Sequence, residues 1–316
     1  MKNLNNKTLI IILGGLVVVF VLARIFRSPK LESNLPESIV AVDTAKADVI
    51  RISPSDGGET VALRRKDGRW FLQKGERDLI VDQGSVRSML GYLAKMAPQR
   101  MVTRKSSKWG SYQVGDTTTR VAVLKGEDEL ATVLIGRTAF ASSPGDPQNP
   151  FGGSFGGAFT YVRLDGNDEV YTVEGFLEPT FNKKADDWRD KSVLRIKSGD
   201  IARIRFNYPD SGFVVEKKKG KWMVNDTDAD SVKVTGYLGL LEYKNAGGFD
   251  DAFTTPPAKP LVVEFESAKG EKTIVQGWRR GQDGVIASSF REGNFFTIDL
   301  AGFNSLFERR AYFVKR

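Results

Sequence analysis

The chain has 316 residues, with 47 Lys plus Arg against 39 Asp plus Glu, and neither His nor Cys. Those absences exclude a Cys nucleophile, a His general base, a zinc finger, haem attachment through Cys and any disulfide, and so remove the commonest routes to hydrolytic and redox catalysis, while a carboxylate dyad or an oxygen-ligated metal stays open. The formal charge of +8 is partly local, because Lys2, Lys7, Arg24 and Arg27 stand in residues 1–27 without an acid; the rest is nearly balanced, and nucleic acid is not an expected partner.

Thr8 to Ala23 carries no charge, and the apolar run continues through Ile25 and Phe26 across Arg24 alone. A helix of that length matches a hydrocarbon core of roughly 30 Å, with Arg24 snorkelling to the headgroups. The pattern predicts one membrane pass within residues 1–27. Val21-Leu22-Ala23 is a poor cleavage site for the competing signal-peptide reading, and the run exceeds a usual signal h-region. Gly14 and Gly15 are candidate packing residues that let another membrane helix approach closely. Lys and Arg flank the span on both sides, so charge does not orient it. The short leading flank favours a cytoplasmic N-terminus.

Residues 28–47, with Pro29 and Pro36, read as a polar stalk. Beyond it the chain reads twice. Asp48–Ile52 returns as Asp200–Ile204, and Gly68-Arg69-Trp70 as Gly220-Lys221-Trp222, both at an offset of 152. Ile135-Gly136 has a counterpart near Gln276-Gly277, and Gly166-Asn167 near Gly293-Asn294. Two matches at one offset argue for internal duplication, giving units over 48–197 and 198–316.

Within the first unit, Val49–Ile52 and Thr60–Leu63 are predicted strands around the Asp56-Gly57-Gly58 turn, followed by Arg69–Leu72. From Asp82 to Met96, Val86, Met89, Leu90, Leu93 and Met96 recur at helical spacing, with Pro98 beyond the helix. Arg120–Leu124, Leu130–Ile135, Thr160–Leu164 and Glu169–Val173 then read as strands. Phe176, Leu177 and Phe181 suggest a short helix before Trp188. The second unit repeats the order, with its helix from about Ser231 to Tyr243. The expected fold class is α+β: an N-terminal transmembrane helix, then two tandem units of antiparallel strands with one main helix each.

The run Phe151–Phe159 is the most conspicuous candidate site. Gly152, Gly153, Gly156 and Gly157 permit close backbone approach, while Phe151, Phe155 and Phe159 offer apolar anchors for a protein partner. It lacks the ending of a nucleotide phosphate loop, and its simpler reading is a long hairpin connection. Trp70 and Trp222, each behind a basic turn, read as core residues at equivalent strand positions. Asp186, Asp187 and Asp190 around Arg189 and Lys191 read as an ion-pair cluster closing the first unit rather than a cation site. No residue set forms a catalytic constellation, and neither a metal nor a cofactor is expected.

The Trp-containing strand, the pattern D-x-x-x-V-x-x-x-L-x-x-L from Asp82 to Leu93, Trp109-Gly110, Val121–Gly136, Tyr161-Val162-Arg163, Val170-Tyr171 and Trp188–Lys191 follow one another in an order that resembles the bacterial domain-of-unknown-function family 4340. Trp109-Gly110-Ser111-Tyr112 departs from the Tyr-Gly-Leu step of that pattern. The resemblance implies association with ABC transporters of the gliding-motility kind and supplies no catalytic residues. The expectation is thus a non-enzymatic, single-pass accessory subunit in a bacterial inner membrane, its bulk in the periplasm, contacting permease and ATPase subunits, and membrane lipid through the N-terminal helix. The alternative expectation is an independent envelope module, anchored the same way, that binds glycan or lipid.

Overall fold

The computed structural model describes residues 35–40, 43–142 and 155–315. Among these, no helix is long and apolar enough to cross a membrane. The predicted span Thr8–Phe26, including Gly14 and Gly15, lies outside the described residues, as do Phe151, Gly152 and Gly153.

The protein is mostly β, with a few helices. In chain order the first half comprises β1 (Val49–Ser53), β2 (Val61–Lys66), β3 (Arg69–Lys74), β4 (Arg77–Ile80), α1 (Gln83–Ala94), β5 (Pro98–Thr103), α2 (Trp109–Tyr112), β6 (Thr119–Lys125), β7 (Asp128–Ser142), β8 (Phe155–Leu164), β9 (Val170–Glu174), α3 (Glu178–Phe181) and α4 (Ala185–Trp188). After β10 (Ser192–Arg195) come β11 (Ile201–Tyr208), β12 (Ser211–Lys218), β13 (Lys221–Val224), β14 (Thr227–Asp228), α5 (Ser231–Leu241), β15 (Tyr243–Asn245) and β16 (Gly248–Phe249). The chain finishes with β17 (Leu261–Ser267), β18 (Lys272–Arg280), β19 (Asp283–Ser288), β20 (Phe295–Asp299), α6 (Leu300–Leu306) and α7 (Arg310–Phe313).

Two nine-stranded sheets result. Their orders are β4-β3-β2-β1-β6-β7-β8-β9-β5 and β14-β13-β12-β11-β17-β18-β19-β20-β16. Counting strands within each sheet, the two orders are identical, and in both the main helix is inserted between the fourth and fifth strands. β10 pairs with β15 as a separate two-stranded ribbon. The paired edges are antiparallel throughout the registers given by the hairpins, as in β11 with β12 and β17 with β18.

Two compact units are present. One contains the described chain up to Thr60 together with Ser88–Asn182; the other contains Val61–Arg87 together with the chain from Lys183 onward. Unit limits and sheet limits therefore differ, because β2, β3 and β4 fall in the second unit.

The helical periodicity is realised as burial. Val86, Met89 and Leu93 of α1 are fully buried, and Met96 just beyond it is nearly so. Asp82 caps the start, its carboxylate accepting from the Ser85 amide at 2.7 Å. Asp230 does the same for α5, accepting from Val232 and Lys233, so an acidic N-cap satisfies otherwise unpaired amides in both copies. α5 buries Val234, Tyr237, Leu238 and Leu241 into a core with Phe206, Phe265 and Phe313. Within it the Tyr237 hydroxyl donates to the Leu306 carbonyl at 2.8 Å, which meets the need of a buried phenol for a partner. Trp70 is buried and Trp222 half-buried against the second core, so both tryptophans pack.

Two strands run further than the apolar pattern indicates. β7 continues to Ser142 rather than stopping at Ile135, and β8 starts at Phe155 rather than Thr160. They extend because they pair with each other, through Thr138↔Thr160 to Ser142↔Phe155, with register shifts on the way. A ladder of backbone bonds outweighs the low strand propensity of the glycines there.

Candidate binding clefts

Phe155 and Gly156 enter the fold as the first residues of β8, with Gly157 exposed after them. Phe159 is half-buried and meets Tyr161 edge to face, with ring centroids 5.5 Å apart, in a small cluster with Val114 and Val170. This end of the glycine-rich run is therefore anchored in the sheet.

A cleft of about 610 Å³ opens in the first unit, where β7 outruns β6. The last β6–β7 pair is Thr119↔Ile135, and beyond it β7 pairs only with β8 among the described residues. Thr118 seals the end of the ladder, its hydroxyl donating to the Ile135 carbonyl at 2.7 Å. Next along β7, Gly136 passes so close to α2 that a Cβ would lie 2.3 Å from the Tyr112 carbonyl oxygen. Arg137 then donates from Nε to the Ser111 carbonyl at 2.9 Å and covers the Tyr161 ring at 5.1 Å. Phe140 and Phe176, 59% and 52% exposed, stand on the rim near Glu178. Hydroxyls, amide groups and two exposed rings suit hydrogen bonding to a polar partner with apolar side groups.

A second cleft, of about 470 Å³, occupies the corresponding place in the other sheet. Both clefts lie among the first-to-second-strand turn, the start of the sixth strand, the seventh strand and the segment after the ninth strand. Both also have a glycine on the seventh strand that admits a close neighbour. A Cβ on Gly277 would meet the Phe307 ring at 2.3 Å. The linings differ: Phe213, Phe303 and Phe307 form an aromatic floor here, and Arg279, Arg309 and Arg310 stand on the rim. At one side the Tyr208 hydroxyl donates to the Glu308 carbonyl at 2.8 Å. Burial, and then the Glu308 charge, push the Tyr208 phenol far above its ordinary range. Burial also raises the Glu308 carboxyl.

The acidic run after α3 forms an ion-pair cluster within the second unit. Arg189, 3% exposed, donates to Asp186 and, through both terminal nitrogens, to Asp251. Asp190 accepts from the Ser192 amide and hydroxyl and from Arg291. Its burial works to raise the pKa, but those hydrogen bonds and the Arg291 charge outweigh it, leaving the carboxyl below its usual range. Lys191 pairs with Asp187. Among the described residues no group of three or more acids is arranged to hold a metal ion.

Sequence reasoning missed both clefts. Their one advance signal was the recurrence of Gly136 and Gly277 on the strand that each cleft follows.

No curated protein and no solved structure matches the chain. The family described as Domain of unknown function (DUF4340) matches residues 70–258, from the Trp70 strand through the ion-pair cluster to the loop before β17. With more than half of its length covered by that match, the chain belongs to the DUF4340 family.

Proposed function

We propose that the protein is a non-enzymatic accessory subunit of an ABC-type transporter complex of the gliding-motility kind. In this reading residues 1–27 form a single transmembrane anchor in a bacterial inner membrane, residues 28–47 a stalk, and the duplicated units over 48–197 and 198–316 a periplasmic body. The permease and ATPase subunits are its partners, and lipid meets only the anchor. The observation that carries the reading is the β7–β8 hairpin, which runs past its β6 neighbour beside a cleft rimmed by exposed Phe140 and Phe176. An exposed aromatic side chain on a paired ribbon, Phe140, with a second, Phe176, on the same rim, is suited to anchoring a protein contact at small entropic cost. The uncharged Thr8–Ala23 run supports the anchor.

The test is a pull-down of the tagged full-length chain from gently solubilised native membranes, with mass spectrometry of what stays bound. Permease and ATPase subunits should be recovered, and Gly14→Leu with Gly15→Leu should reduce their yield. Recovery of the chain alone counts against the transporter reading. The two clefts at equivalent positions favour a second reading, an independent anchored module binding an envelope glycan or lipid. Ligand binding by the protein without any associated subunit would favour it.

A further inference from the structure

Arginines on the second sheet are generally matched with acids. Arg203 pairs with Glu216 and Glu266, Arg205 with Glu264, and Arg280 with Asp250 and Asp283. Arg279 breaks that pattern, and Arg309 and Arg310 at the start of α7 are likewise unmatched. All three are exposed on the rim of the 470 Å³ cleft, and among the described residues none of them joins an ion pair. Arg279 stands beside Arg280 on β18, yet only Arg280 has carboxylate partners.

The floor beneath them has the opposite character. Phe213, Phe303 and Phe307 are at least nine-tenths buried yet line the cleft, with half-buried Leu261 beside them. Phe303 and Phe307 lie with ring centroids 4.7 Å apart. Their approach is possible because Gly277 and Gly284 have no Cβ: one added to Gly284 would lie 2.2 Å from Phe303. An aromatic floor with a few convergent charges is the usual make-up of a small-molecule site, and the volume lies in the range such sites occupy. The corresponding cleft in the first unit carries Arg137, engaged with Ser111, together with the acid Glu178. The cationic rim is thus a property of the second copy alone.

We propose that this cleft binds a small organic anion, a phosphate or carboxylate joined to an apolar group. Its acid would be held by the forked guanidiniums of Arg279 and Arg310, with Arg309 adding charge, and its apolar part would rest against Phe303 and Phe307. The assignment stands apart from the transporter reading and needs neither the anchor nor a partner subunit.

Isothermal titration calorimetry on the full-length protein in neutral detergent micelles tests it, with phenyl phosphate as the probe. Inorganic phosphate and phenol serve as its two halves. Phenyl phosphate should bind at least about tenfold more tightly than either half, because the halves forgo the aromatic contact or the charge-assisted bonds. Arg279→Gln should cost about tenfold in affinity, and adding Arg310→Gln should cost roughly tenfold more. Lys217→Gln, a change of the same charge away from the cleft lining, should leave binding unaltered. The thermal midpoint separates lost binding from lost folding, and the single variants decide if the double variant does not fold. Equal affinity for inorganic phosphate, equal affinity for phenol, no binding of phenyl phosphate, or unchanged binding by folded arginine variants would each overturn the proposal.

Discussion

Arg189 holds Asp251 by two parallel hydrogen bonds, each 3.0 Å long. The Arg189 side chain is 1% exposed, that of Asp251 31%. The guanidinium also lies 3.4 Å from the centroid of the Phe249 ring, so one face is covered while its terminal nitrogens are paired. A planar, delocalised cation suits such a place, and Lys would reproduce neither the fork nor the stacking.

Removing one partner should therefore cost more than an exposed pair is worth. Arg189→Met is expected to destabilise the protein by roughly 3 kcal/mol, because Asp186 and Asp251 are left together without their shared cation. Asp251→Asn should cost less, since water reaches that carboxylate. Urea unfolding of each single variant and of the double variant measures the coupling. Additive losses would show that the pair contributes nothing of its own.

The same contacts set the acid limb of stability. Burial works to raise the Asp251 pKa, but hydrogen bonds and charge from Arg189 and Lys74 outweigh it, so the carboxyl lies below its ordinary value of 3.8. Asp190 is displaced in the same direction. A carboxyl depressed in the folded state stabilises fully above the unfolded pKa and stops doing so as pH falls through the folded one. Stability from these two groups should hold from neutrality to about pH 4 and decline below it. Asp251→Asn should differ most from the parent at neutral pH and converge on it in acid. A gap that stays constant down to pH 2 would refute the assignment.

Glycines give a contrast of sign. Gly136→Ala and Gly277→Ala each place a Cβ at 2.3 Å from a neighbour, the Tyr112 carbonyl oxygen in one case and the Phe307 ring in the other. Both should destabilise by about 1–3 kcal/mol. Gly91, exposed within α1, has nothing within 4 Å of an added Cβ. Gly91→Ala should stabilise by up to about 1 kcal/mol. Thermal melts of the three variants suffice, and a stabilising Gly136→Ala would mean that α2 and β7 do not pack as closely as described.

The absence of Cys makes the proposed membrane topology directly measurable. Lys217→Cys introduces a single thiol at an exposed position of β12. In cells with a permeable outer membrane and a sealed inner one, a membrane-impermeant maleimide should label it without lysis. Labelling only after the inner membrane is broken would place the body in the cytoplasm.

What the sequence made legible was local or repeated. The α1 periodicity, the Gly-bounded hairpins and the matched tryptophans all follow from short-range patterning. β4 and β5 did not show themselves. Arg77–Ile80 buries only Leu79, and Pro98–Thr103 opens with proline and lacks alternating burial. Arg189 was recognisable as a charge to be paired, but its main partner, Asp251, is brought to it by tertiary structure. The clefts were hidden for the same reason: each gathers a turn, two strands and a later segment from distant parts of the chain.

The shared strand order also dictates a sequence of events during folding. In each sheet the fifth strand reaches its partner only after the ninth exists: Met101 pairs with Tyr171, and Gly248 with Thr297. Closing so long a loop is entropically slow, and the intervening meander can assemble first. On a ribosome, β5 emerges well before β9 and waits with its backbone unpaired. Pro98 and exposed Arg100 make that waiting strand a poor template for intermolecular pairing. A chain whose synthesis stops before Val170 would hold β5 in that state indefinitely, with Pro98 and Arg100 as its guard against intermolecular pairing.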